Sequence, residues 1–217
     1  MFLYFSLLGG LTIAAYFITG HFCDDHRLAT TSIKQARLQQ IPGQKLILIG
    51  GSNLQYGINS AYLSEQLGIP VVNMGLQGSI GLAYYFQEIM PSINEGDLVF
   101  LLAEHYLYNY KSAAQGGQAL YNLISIYPDG LRYLNANQYI RMPLYLGTSI
   151  RENTRYLIRR SKQSGDGQHS FFSGTNTSGD YEGHRYATKG YQGQPIGEDE
   201  DSQTEILPVG IIDFLLG

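Results

Sequence analysis

Lys45-Leu-Ile-Leu-Ile-Gly-Gly-Ser-Asn53 carries the strongest fold signal in the sequence. A continuous apolar run without polar alternation, stopped by a glycine pair, reads as a strand buried on both faces of a parallel sheet. Working outward, Pro42-Gly43 breaks the chain just before it, and Ser60 is placed to cap a short helix over 61–67 that Gly68 closes. Pro70-Val-Val-Asn-Met74 is a second short strand, followed by the loop Gly75-Leu-Gln-Gly78. From Gly81 to Ile93 the apolar residues Leu82, Tyr85, Phe86 and Ile89 recur at helical spacing. Glu95-Gly96-Asp97 then turns the chain into Leu98-Val-Phe-Leu-Leu102, a third run that reads as buried strand. The order β-α-β-α-β specifies an α/β fold with a parallel sheet and right-handed crossovers.

Beyond Tyr110 the pattern supports helices over 118–126 and 150–160. From 161 to 205 the chain is rich in Gly, Ser, Asp, Gln and Thr and reads as a polar, flexible insertion unable to build a core by itself. Residues 206–217 turn apolar again, as a strand-like run at the end of a chain expected to be a truncated product. At the other end, residues 1–20 contain no charged side chain, which is the length and composition of a single membrane-spanning helix. A cleavable signal peptide is the competing reading, but a basic leading region and an Ala-x-Ala site are absent. Residues 21–44 read as a polar stalk, and 45–160 as the α/β domain. The flanking basic residues Arg27, Lys34 and Arg37 favour a cytoplasmic domain by the positive-inside rule.

Composition excludes several classes. With 217 residues, 44% of them hydrophobic, the chain is long enough for one domain with a proper core. A net charge of -4 and the lack of a Lys/Arg groove argue against nucleic acid as a partner. The local run Arg155, Arg159, Arg160, Lys162 reads as the solvated end of a helix, with a phosphate or lipid headgroup as the alternative. Cys23 is the sole cysteine, so neither an internal disulfide nor a cysteine zinc cluster is available. No His and carboxylate spacing of metal-site type and no phosphate-binding glycine motif occurs, so neither a metal nor a cofactor is expected.

In an open parallel sheet, ligands bind at the carboxyl ends of the strands. Here those ends are Gly50-Gly51-Ser52-Asn53, Asn73-Met74-Gly75-Leu76-Gln77-Gly78 and Glu104-His105-Tyr106. Ser52 follows a glycine pair where the backbone turns sharply, an arrangement that suits an exposed hydroxyl beside amide N–H groups able to hold an oxyanion. Gly75 is a further amide donor, and Asn53 or Asn73 adds a side-chain amide. The plainer alternative is a strand-to-helix turn made of residues that turns favour anyway.

The apolar strand, Gly-x-Ser-Asn, short helix and Val-Val-Asn-x-Gly-x-x-Gly together resemble the first two blocks of the SGNH (GDSL-like) hydrolase superfamily. More narrowly, they resemble its membrane-anchored bacterial members associated with cell-surface polysaccharides. The resemblance covers about residues 45–110. It implies a flavodoxin-like three-layer α/β/α sandwich, ester hydrolysis or O-acyl transfer without a metal, and an extracytoplasmic domain held by the N-terminal segment. It also implies Ser52 as nucleophile, with the Ser52 and Gly75 amides lining the oxyanion hole. The chain departs from the family at Ala103-Glu104-His105, where an Asn is expected after the third strand. The family's base lies in a C-terminal Asp-x-x-His. Asp166-Gly-Gln-His169 has that spacing, and Asp180-Tyr-Glu-Gly-His184 is one residue longer. A base beyond Gly217 is the third possibility, and a non-catalytic envelope protein that binds glycan or a partner is the alternative function.

Overall fold

The computed structural model describes residues 2–163 and 173–182. Helix α1 (Phe2–His21) leads through a 3-10 turn at Arg27–Thr30 into α2 (Thr31–Gln40). The α/β unit then runs β1 (Leu46–Gly50), α3 (Ser52–Gly57), α4 (Ser60–Leu67), β2 (Val71–Asn73), α5 (Leu82–Ile89) and β3 (Leu98–Leu102). Four further helices follow: α6 (Tyr110–Gln115), α7 (Gln118–Ile126), α8 (Ala136–Arg141) and α9 (Leu146–Gln163). The fold is mixed α/β, built on a small sheet of three parallel strands in the order β2-β1-β3. Leu48 pairs with Asn73 on one side and with Phe100 on the other.

Alternation along β1 divides the core between the two faces of the sheet. Leu48 joins Leu54 and Val71 under Leu63 of α4. Ile47 and Ile49 belong to the larger cluster, with Val72, Tyr84, Tyr85, Ile89, Leu120, Ile124 and Tyr16. The sheet thus carries helices on both faces. The chain leaves β1 for β2 on one side, then crosses to β3 on the other. The winding therefore reverses between β1 and β3, and the carboxyl ends of these two strands are where open sheets of this kind place their ligand crevice.

Several expectations change in detail. The cap of α4 is Asn59, whose side chain accepts the Tyr62 N–H, and Ser60 is the first helical residue. Helix α5 stops at Ile89 and passes into a 3-10 turn at Met90–Ser92, since Pro91 has no N–H to continue the ladder. Helix α9 starts at Leu146, earlier than 150. Strand β3, expected to be buried, is the edge of the sheet among the described residues: Leu98 is 53% and Phe100 is 54% exposed.

The segment that reads as a stalk is packed into the domain. Lys34 and Leu38 of α2 are buried, and the Lys34 ammonium donates to the carbonyls of Asn73 (3.0 Å) and Gly179 (2.5 Å). Burial pulls the Lys34 pKa down to about 7, against the opposing pull of Asp180 and Glu88.

Helix α1 covers the expected membrane segment but is consumed in part by the domain. Tyr16 is buried and its hydroxyl donates to the Tyr121 carbonyl of α7. A side chain at Gly20 would collide with the Ser125 carbonyl, so glycine is what lets α1 lie against α7. The Asn153 amide of α9 donates to Ser125 Oγ at 3.0 Å and Thr19 Oγ1 at 3.4 Å. The preceding half of α1, with Tyr4, Phe5, Leu7, Leu8, Leu11 and Ile13, stands exposed. Among the described residues no helix is long and apolar enough to cross a membrane. The basic residues near the end of α9 are exposed, and Arg160 pairs with Asp24 at 2.7 Å. Residues 206–217 lie outside the described residues.

Candidate functional site

The crevice between β1 and β3 is built from both strand ends. After Gly50 the chain turns at Gly51 straight into α3, and Gly51 O accepts the N–H groups of Leu54 (3.2 Å) and Gln55 (3.3 Å). Ser52 opens that helix and is exposed to solvent. From the β3 side, the carboxylate of Glu104 lies against the Cα of Gly51, in the space that a Cβ on Gly51 would fill. A Cβ on Gly51 would have to displace the end of the Glu104 side chain, and it is this close approach rather than the φ of -93° that favours glycine here. Glu104 Oε2 is buried and has no hydrogen-bond partner among the described residues, which leaves a strong acceptor beside Gly51. His105 follows, exposed.

The β2 end is committed to structure. Asn73 is fully buried. Its Oδ1 accepts the Gly75 N–H at 2.9 Å, while its Nδ2 donates to Leu54 O at 2.8 Å and Asp180 Oδ1 at 2.9 Å. The Gly75 amide, expected to help hold an oxyanion, is thus occupied by Asn73, and Asn73 has no N–H left for a ligand. Asn53 is exposed and its Oδ1 accepts the neighbouring Leu54 N–H at 2.9 Å.

Of the base candidates, Asp180 alone falls among the described residues; Asp166, His169 and His184 lie outside them. The segment 173–182 folds back beside β2, where Ser178 O accepts the Asn73 N–H at 3.1 Å and Gln55 O accepts from Tyr181 at 3.2 Å. This brings in Asp180, whose two oxygens take the Ser60 N–H (2.6 Å), the Ser60 hydroxyl (2.7 Å) and the Asn73 amide. Asp180 is 2% exposed, and its present contacts tie α4 to β2. No group of His, Cys, Asp and Glu suited to a metal ion occurs among the described residues.

A second concavity escaped the sequence reading because it unites distant residues. It is a cleft of about 390 Å³ between the 3-10 turn after α1, the loop after β2, α7 and α9. Its lining includes Arg27, Gln77, Ser79, Gln118, Asn122 and Glu152. Arg27 Nη2 donates to Gln77 Oε1 at 2.7 Å, while Arg27 Nε is buried and has no partner among the described residues. Gln118 Nε2 donates to Asn122 Oδ1 and to Ser149 Oγ, both at 2.8 Å. His26 at its rim is held neutral, because burial and then the neighbouring Arg27 push its pKa down to about 4. The lining is rich in side-chain amides and offers hydrogen bonds to hydroxyl groups rather than an apolar seat.

Fold and site together define an α/β protein with an exposed serine after one strand and a carboxylate after the other at a topological switch point. No family model, curated protein or solved structure matches the chain.

Proposed function

We propose that the protein is a serine-dependent ester hydrolase or O-acyltransferase of SGNH type, acting on an acyl ester such as one carried by a cell-surface polysaccharide. The observation that carries this reading is the placement of an exposed Ser52 in the first turn of α3, at the carboxyl end of the central strand. The strand order β2-β1-β3 is also the beginning of the flavodoxin-like order that the three-layer sandwich requires. In this reading Ser52 Oγ attacks the acyl carbon and its amide faces the developing oxyanion. The histidine that takes the Ser52 proton is supplied by His169, His184 or a residue after Gly217. The Gly75 amide joins only if its bond to Asn73 opens.

Attachment to a membrane runs through α1, with the domain on the extracytoplasmic side. The basic residues that argue for the opposite topology are in part folded into the domain: Lys34 is buried and Arg27 is bonded to Gln77. Two of the three basic residues are therefore tied into the domain and do not stand as free cations on the flank.

A fluorophosphonate probe tests the catalytic reading. Covalent labelling of the wild type that disappears in Ser52→Ala is expected; no labelling, or equal labelling of both, would sink it.

A second reading is favoured by the Glu104 carboxylate packed against Gly51, the residue before Ser52, and by the amide-lined cleft. Here the protein is a non-catalytic envelope module that binds glycan hydroxyls through Gln77, Gln118 and Asn122. Binding of a polysaccharide that survives Ser52→Ala and is lost in Asn122→Ala supports it.

A further inference from the structure

Ile140 is 77% and Leu144 is 74% exposed, more than any large apolar side chain described on α1, where Tyr4 reaches 73%. Local structure puts them outside. On α8 the buried Gln138 faces the core and bonds back to the Asn135 cap, so Tyr139 and Ile140 fall on the outer side. Pro143 then sits in the 3-10 turn Met142–Leu144, where Met142 packs on the core together with Tyr145 while Leu144 stands clear. Leaving two large aliphatic side chains in water forgoes the stabilisation that burial gives, and neither fills a gap in the core.

Helix directions bring this surface beside the exposed half of α1. Asn153 of α9 bonds to Thr19, and Arg160, two turns on, bonds to Asp24 just past the end of α1, so the two helices run side by side in one direction. The same count back along each, from Asn153 to Leu146 and from Thr19 to Thr12, spans about 10 Å. Tyr145 joins the two levels: its ring stacks on Tyr121 at 4.2 Å, and the Tyr121 carbonyl accepts the Tyr16 hydroxyl. Ile140 and Leu144 thus stand at the level where α1 leaves the domain. The charge there has one sign. Residues 130–151 contain Arg132, Arg141 and Arg151 and no Asp or Glu, and Asp129 just before them is paired with Arg132 at 3.5 Å. Arg141 Nη2 donates to the Tyr145 hydroxyl at 3.2 Å. Apolar tips flanked by arginines and tyrosines suit the headgroup boundary of a bilayer with anionic lipids.

We propose that residues 139–144 dock on the surface of a phospholipid bilayer beside the point where α1 enters it. This rests on the reading that α1 attaches the protein to a membrane, and adds to it a second contact. A helix alone leaves the domain free to swing; two contacts hold it against the headgroups in one orientation.

The chain contains no Trp, so Leu144→Trp places a single fluorescent reporter in the full-length protein. On vesicles of phosphatidylcholine and phosphatidylglycerol in equal parts, its emission should shift to the blue and be quenched by lipids brominated in their acyl chains. Tyr62→Trp, at an exposed site on α4 over the other face of the sheet, should show neither effect. Ile140→Glu combined with Leu144→Glu should weaken vesicle affinity at least tenfold. The same double variant should keep the wild-type urea midpoint, since neither side chain belongs to the core. An unshifted reporter on vesicle-bound protein, or unchanged affinity of the double variant, overturns the docking surface and leaves attachment through α1 standing. Failure of the wild type to bind vesicles overturns attachment through α1 and the docking surface with it. A blue shift that appears without vesicles and grows with protein concentration assigns the patch to a second copy, which also overturns the proposal.

Discussion

Gly51 and Glu104 occupy one another's space, and that contact sets what the crevice beside Ser52 looks like. A methyl group on residue 51 meets the Glu104 carboxylate, while the backbone φ of -93° suits alanine. Gly51→Ala should therefore destabilise the protein by about 1–2 kcal/mol through overpacking. In a Glu104→Ala background the same change should cost no more than a few tenths of a kcal/mol, since the colliding group is gone. Denaturant titrations of the four proteins in this cycle measure the coupling; an equal cost in both backgrounds would rule out the contact as its source. At this scale the sequence marks the right places, because glycine and serine after an apolar run and a carboxylate after β3 are local signals. What it does not carry is the allocation of hydrogen bonds. That Asp180 is engaged by both Asn73 and Ser60 depends on side-chain geometry across 107 and 120 residues of separation, and the hold of Asn73 Oδ1 on the Gly75 amide depends on how that side chain turns.

Among the elements, the three strands and the crossover helices are legible because each is a contiguous pattern ended by Gly or Pro. The role of α2 is not. A lysine in a polar ten-residue helix reads as exposed, and it is buried only because carbonyls from residues 73 and 179 converge on it. Across from it, Glu88 on α5 is fully buried, and desolvation raises its pKa to about 7 against the opposing influence of Gln35, Lys34 and Tyr84. The sign of the consequence follows from proton counting. From the ordinary value of 4.5 up to about 7, the unfolded carboxyl ionises while the buried one keeps its proton. The folded state then binds more protons, so stability falls as pH rises through this window and is flat above it. The total corresponds to about 3 kcal/mol. Glu88→Gln has no such proton to lose, so its stability relative to wild type should increase by up to about 3 kcal/mol between pH 5 and pH 8. Urea unfolding of both proteins at the two pH values checks this, and a pH-independent difference would show that Glu88 is ionised in the fold throughout.

For the whole molecule, what remains to be explained is why an uncharged apolar helix projects from a folded domain. The second half of α1 and the turn after it belong to the core: Tyr16 and Gly20 of the helix and Cys23 beyond it are buried, with α1 packed on α7 and α9. The first half is apolar around its circumference, with Tyr4 73% and Leu7 62% exposed. An exposed surface of that kind is costly in water and suits the acyl region of a bilayer. Hydrophobic transfer contributes about 1.5–3 kcal/mol for each large side chain buried, so three such residues dominate the affinity. Replacing Leu7, Leu8 and Leu11 together with Glu should abolish co-sedimentation with phospholipid vesicles. These side chains make no part of the domain core, so the melting temperature in solution should stay within a degree or two of wild type. Retained vesicle binding in the triple variant would move the contact elsewhere, the basic end of α9 being the next surface to substitute. A fallen melting temperature would instead place the first half of α1 inside the fold.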